Sequence, residues 1–242
     1  MNSTVPSRVV SRLPQFSAAA SVTVALVGLT VLIGWTFEIQ VLKSVLPGLP
    51  NMRIPTAGGL LLSGAALWWL RKEDGPPWAR RGAQILALVT ALIGAFLLAV
   101  LLSGWEVGDE LRGLSPGPIT AANLLFVGSA LLLLNAGSRI AIRLFEACAL
   151  AVALLSILVL LDYVLFPRVS HTQTALHSAS TMLLLSIALL CARPHRGVMA
   201  LATSKNAGGM LLRGLLPALI LVPAFLGWIR YQGEKAGLYE TE

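Results

Sequence analysis

The sequence predicts an all-α fold: a polytopic membrane helix bundle of about seven transmembrane helices, built from three repeated helix hairpins plus one further helix. Three observations predict it. The chain of 242 residues is 56% hydrophobic and only 12% charged, with a mean hydropathy of +0.80, a balance that excludes an ordinary soluble domain. Seven apolar runs approach the roughly 20 residues that a helical span of the bilayer requires. A twelve-residue segment, "TAGGLLLSGAAL" at 56 to 67, returns without a gap as "TAANLLFVGSAL" at 120 to 131 and "SASTMLLLSIAL" at 178 to 189.

The predicted spans fall at about 17–37, 56–70, 83–103, 120–135, 144–165, 174–191 and 211–229. The first follows Arg8 and Arg12 as a secretory signal would, but it runs into "GWTFEIQV" without a small-x-small cleavage pattern, so it reads as an uncleaved anchor. The second, fourth and sixth are short, and each contains one copy of the twelve-residue segment. Each copy follows another apolar run, so the pairs read as hairpins over about 17–71, 83–135 and 144–193, with the helix at 211–229 left over. The expected organisation is a cytoplasmic N-terminal segment at 1–16, a single transmembrane domain at 17–230 and an outer C-terminal segment at 231–242.

Short basic loops stay on the cytoplasmic side, and the Lys and Arg positions give the orientation. With the N-terminus inside, 12 of the 18 basic residues fall on the inner side, from Arg8 and Arg12 through Arg71, Lys72, Arg80 and Arg81 to Arg193, Arg196, Lys205 and Arg213. The acidic residues Glu38, Glu106, Asp109, Glu110, Glu234, Glu240 and Glu242 crowd the outer side. The net charge of +7 is therefore topological and does not mark a nucleic-acid surface. A bacterial inner membrane with the N-terminus cytoplasmic and the end of this chain outside is the expected location. Membrane lipids are the expected surroundings, and the basic, apolar-interleaved segment at 192–214 reads as lying along the inner interface beside anionic lipid.

Each copy of the segment carries one face with small residues alternating with bulky ones. Counting from its Thr or Ser, offsets 1, 4, 8 and 11 give Ala57, Leu60, Gly64 and Leu67, then Ala121, Leu124, Gly128 and Leu131, then Ala179, Met182, Ser186 and Leu189. These are heptad positions, and small residues there allow the close van der Waals approach on which helix association in lipid depends. The repeat is thus expected to be a packing seam. Thr56, Thr120 and Ser178 stand at the outer helix starts, where a hydroxyl can cap orphan N–H groups. Because each hairpin has two spans, its copies point the same way, as parallel repeats about an axis along the membrane normal.

Candidate ligand-binding residues lie at the outer rim: Trp35, Trp105 and Tyr163 at matching places in the three hairpins, with Asp162 and His177. Two readings stay open for each. Aromatics at this depth form the interfacial belt, or they rim an outward pocket for a small apolar or amphipathic ligand. Asp162 forms an ion pair with Arg168 or His177, or serves as a ligand or proton group. Glu146 reads as a structural partner of Arg143 one turn away, with a relay role as the alternative. Cys148 and Cys191 lie in apolar spans and support neither a disulfide framework nor a metal site. His171, His177 and His195 are not placed for paired haem ligation, and Lys43, Lys72, Lys205 and Lys235 all lie outside the spans, which excludes a retinal Schiff base. No cofactor is required by the sequence, and no catalytic constellation is present.

The blocks "FEIQVLKSVLPGLPNMRIPTAGGLLLSGAALWWL" and "ALHSASTMLLLSIALLCARPHRGVMALATSKNAGGMLLRGLLPALILVPAFLGWIR", with the closing "EKAGLYETE", resemble the N-terminal membrane sensor region of bacterial sensor histidine kinases and related PAS and GGDEF signalling proteins. The resemblance covers nearly the whole chain. It implies a non-catalytic input module of a signal-transduction protein, followed in such proteins by one more span and by cytoplasmic PAS, kinase or cyclase domains. This chain stops at Glu242, before any of these, so an excised sensor or a free-standing relative working through a partner is expected. The alternative is a structural or accessory subunit of a larger membrane complex that contacts lipid, quinone or pigment. Helix–helix contacts with itself or another membrane protein fit either reading.

Overall fold

The computed structural model describes residues 7–44, 50–72, 75–103, 117–165, 174–204 and 209–210. Among them the regular elements are all α-helices: α1 (Ser7–Thr36), α2 (Gln40–Lys43), α3 (Ile54–Leu70), α4 (Pro77–Ser103), α5 (Pro118–Leu133), α6 (Arg139–Leu165), α7 (Leu176–Cys191) and α8 (Gly197–Ala202). Three of them are long and apolar enough to cross a membrane, over Arg12–Thr36, Pro77–Ser103 and Arg139–Val164. Helices α3, α5 and α7 are also apolar but shorter, with 17, 16 and 16 residues. At 1.5 Å per residue they are about 25 Å long, less than the roughly 30 Å of a hydrocarbon core. The expected helix at 211–229 lies outside the described residues, as do Trp105, His171 and the outer segment at 231–242.

The six main helices form a closed ring in which long and short alternate. Helix α3 packs between α1 and α4, α5 between α4 and α6, and α7 between α6 and α1; the three short helices also meet one another at the centre. This arrangement explains their burial. In α3 the buried positions are 56, 57, 59, 60, 63, 64, 66, 67 and 70, and the same intervals recur in α5 and its C-cap from 120 to 134 and in α7 and its C-cap from 178 to 192. The expected seam residues, Ala57 to Leu189, are all buried, yet they supply only half of each buried face. A second stripe, at offsets 3, 7, 10 and 14, is buried as well: Gly59, Ser63, Ala66 and Leu70 in α3, with counterparts in the other two. A helix flanked by two long neighbours has two faces to bury.

The long helices bury a single narrower stripe: Ser17, Ser21, Val24, Gly28 and Val31 in α1; Ala83, Ala87, Thr90, Gly94 and Leu97 in α4; Phe145, Ala149, Val152, Ser156 and Val159 in α6. Their other faces carry exposed Leu26, Ile33, Leu88, Phe96, Leu150 and Leu154. Exposed apolar belts of this length are suited to lipid and not to water. Thr30 and Thr90 on these helices bond to carbonyls one turn back, at 2.8 Å to Leu26 and 3.0 Å to Leu86, which satisfies those hydroxyls in an apolar medium; Ser17 and Ser156, in the buried stripes, make no such bond.

Two glycine pairs set the closest helix crossings. A Cβ on Gly28 would lie 2.5 Å from the Ala57 carbonyl oxygen and one on Gly64 2.6 Å from that of Ser21. In the next hairpin a Cβ on Gly94 would lie 2.8 Å from the Ala121 oxygen and one on Gly128 2.7 Å from that of Ala87. Backbone therefore meets backbone, as small residues permit. Ser156 and Ser186 hold these places in α6 and α7.

The expected hydroxyl caps are corrected. Helices α3, α5 and α7 take Arg53, Gly117 and Ala175 as N-caps, with no side-chain cap bond in any of them. Proline at N1 or N2 starts α3 and α5 ahead of the hydroxyl, because its fixed φ suits the first turn and its missing N–H needs no partner there. Thr56, Thr120 and Ser178 are instead buried inside the first turn.

Candidate functional site

The two ends of the ring, called outer and inner after the topology expected from the sequence, carry different chemistry. At the outer end Trp35 closes α1: its indole Nε1–H donates to the Met52 carbonyl at 2.9 Å, and the Lys43 ammonium lies 4.5 Å from the ring centroid. Lys43, the last residue of α2, is thereby buried. Tyr163 plays the same part in the third hairpin, donating its hydroxyl to the Thr174 carbonyl at 2.7 Å. The matching is close, since Met52 and Thr174 each stand four residues before the buried hydroxyls Thr56 and Ser178. The Thr174 hydroxyl also pairs with that of Thr120 at 3.0 Å, joining the second and third hairpins. In the middle hairpin the burial register places Leu101 level with Trp35 and Tyr163.

The other outer-rim candidates share this end. Asp162 is half-buried beside Tyr163. His177, also half-buried, has an Nε2 that is sealed from solvent with no hydrogen-bond partner. Trp35 and Tyr163 thus spend their polar handles on loop carbonyls of their own hairpins, where they tie long helix to short.

The inner end is built around Arg193, a residue that the charge pattern alone marks only as topological. Arg193 is only 6% exposed, and its guanidinium donates to the carbonyls of Leu70 and Arg71 at 3.0 Å each and of Ala192 at 2.9 Å, and to Asn135 Oδ1. Asn135 in turn donates Nδ2–H to Leu70 at 3.4 Å. Positions 71, 135 and 193 stand fifteen residues after Thr56, Thr120 and Ser178, so one index of the repeat meets itself at the end of the bundle. The carbonyls concerned are those that the last turn of a helix leaves unsatisfied, and they carry the negative end of the helix dipole. A cation is thus neutralised there by backbone. The shared index was the available signal, although a lone Arg beside a short loop also reads as topological charge.

Arg193 leads directly into α8. Arg196 reaches the Ala136 carbonyl at 3.5 Å, and Glu146 accepts the Val198 N–H at 2.6 Å, holding the start of α8 against α6. Glu146 therefore takes a backbone partner in place of the expected Arg143, which is exposed. Gly197, at φ +48, turns the chain there in a conformation that favours glycine, and a Cβ on it would collide with the Glu146 carboxylate.

Comparison with protein-family models, with curated proteins and with solved structures gives no match.

Between the ends, on the outside of the ring, α1 and α3 leave an open groove of about 280 Å³. Its walls are apolar side chains of the two helices, and Trp68 and Trp69 stand at the inner end. Arg71 stacks over Trp68, with its Cζ 4.0 Å from the ring centroid, and Trp69 meets Trp78 edge to face at 6.1 Å.

Proposed function

We propose that this chain is a membrane-embedded, non-catalytic sensory module, built as three parallel helix hairpins plus the helix at 211–229. In this reading it registers an extracytoplasmic or membrane-borne cue as a rearrangement of hairpins. The shared burial intervals of α3, α5 and α7, and the paired glycine crossings of the first two hairpins, support the threefold organisation. One observation carries the sensory reading: Arg193 is bonded to carbonyls of the first hairpin and to Asn135 of the second, and α8 follows it within four residues. A shift of any hairpin therefore has to move the segment that leaves the bundle on its inner face. A ligand drives such a shift only by binding two arrangements with different affinity.

The test is a distance measurement. Spin labels at the exposed Leu201 of α8 and at the exposed Leu154 of α6, in chain reconstituted in vesicles, should give two distance populations whose ratio changes with a bound cue. Quinone-bearing and quinone-free bilayers and a range of outer pH serve as the first trials. One invariant distance under all of them moves the weight to the accessory-subunit reading, in which a stoichiometric membrane partner should co-purify.

A further inference from the structure

We infer that the groove between α1 and α3 seats one acyl chain of an anionic phospholipid, with its phosphate at Arg71. This rests on the membrane reading alone and holds whether or not the module is sensory. The groove lies on the lipid-facing surface, and Leu26, Leu29, Leu61 and Ala65 give it an apolar wall with nothing for a polar ligand to bond. Its volume is just under the roughly 300 Å³ at which sites for compact small molecules begin. A narrow open trough of that size suits a single flexible chain better than a ring system. Gly64 and Ala25 form its floor, where α1 and α3 cross backbone to backbone, so the trough is shaped by a contact that cannot close further.

The inner end supplies the headgroup chemistry. Trp68 and Trp69 are both partly exposed there, at the level where amphipathic rings meet the headgroups. Arg71 is held over Trp68, which fixes its guanidinium beside the mouth of the groove, and it has no carboxylate partner among the described residues. Lys72 and the exposed Arg80 and Arg81 follow in the same inner loop, outnumbering Glu73 and Asp74, which lie outside the described residues. Arg offers a planar fork that matches phosphate oxygens. A zwitterionic lipid would fill the trough equally well but would gain less from these charges.

The probe is brominated-chain phosphatidylglycerol titrated into phosphatidylcholine vesicles that hold the full chain, with tryptophan fluorescence as the readout and brominated phosphatidylcholine as the control. Quenching should reach half its limit at about fivefold less of the anionic lipid, the preference that one basic residue near the surface confers. Arg71→Gln should bring the two lipids to the same midpoint. Ala65→Leu, which fills the trough, should lower the quenching amplitude for both while leaving the helices intact by circular dichroism. Equal midpoints in the unaltered chain, or a preference that survives Arg71→Gln, would overturn the assignment. Failure of the chain to co-float with vesicles would instead reject the membrane reading on which it rests.

Discussion

Replacing Gly64 with alanine should weaken the bundle, whereas the same change six residues earlier, at Gly58, should not. Both glycines lie in α3, and alanine is favoured over glycine in a helix by about 1 kcal/mol. Gly58 has nothing within 4 Å of an added Cβ, so Gly58→Ala keeps that gain. At Gly64 the methyl would stand 2.6 Å from the Ser21 oxygen and 2.7 Å from the Ala25 nitrogen. Both are backbone atoms of α1, so no side-chain rotation relieves the overlap and the two helices have to move apart. Overpacking of this kind costs about 1–3 kcal/mol, which exceeds the propensity gain through most of its range and gives a net loss of up to about 2 kcal/mol. Gly128→Ala, facing Ala87 and Ala91, repeats the experiment in the second hairpin. Reversible unfolding in mixed micelles, followed by helix content, measures the difference. If Gly64→Ala proved as stable as Gly58→Ala, the backbone-to-backbone crossing would be wrong.

Three further outcomes are expected. Arg193→Met should lose at least about 1.5 kcal/mol in the same assay, because carbonyls of Leu70 and Arg71 lose a charged donor, and Arg193→Lys should recover only part since it cannot reach several acceptors at once. Gly197→Ala should free the start of α8 by displacing Glu146 from the Val198 N–H; a spin label at Leu201 should become more mobile, and an unchanged spectrum would contradict the docking of α8. Glu38, at φ 57 just after α1, occupies a left-handed position, so Glu38→Gly should stabilise the chain by up to about 1 kcal/mol, measured as a higher unfolding midpoint.

The helices were legible in the sequence because apolar runs of this length have few other ways to fold. The seam at Ala57, Leu60, Gly64 and Leu67 was legible because small and bulky residues alternate there at heptad spacing in all three copies. The second buried stripe was harder to see: its offset 10 is Ala66, Ala130 and Ala188, but its offset 3 is Gly59, Asn123 and Thr181 and its offset 7 is Ser63, Val127 and Leu185, positions that share burial but not residue type. Helices α3 and α5 start two residues before the expected spans, since Pro55 and Pro118 open their helices ahead of the hydroxyls that looked like caps, and the long helices α1, α4 and α6 start five to ten residues before theirs. The packing register of the long helices sets Leu101 level with Trp35, and Trp105, matched to Trp35 by its "GW" motif, lies outside the described residues. The role of Arg193 was hidden for a different reason. Two of its acceptors are backbone carbonyls more than 100 residues away in the chain, and no side-chain pattern announces a carbonyl.

The organisation into parallel hairpins is tested most directly by which side of the membrane each turn faces. In a chain with Cys148 and Cys191 replaced by alanine, single cysteines at Phe37 and Val164 probe the end that carries Trp35 and Tyr163. Single cysteines at Lys72, Ser138 and His195 probe the end that carries Arg193. In intact cells a membrane-impermeant maleimide should label the first pair, and it should reach the other three only after permeabilisation. Labelling of positions from both ends in intact cells, or of neither end after permeabilisation, would contradict three hairpins threaded the same way across the bilayer.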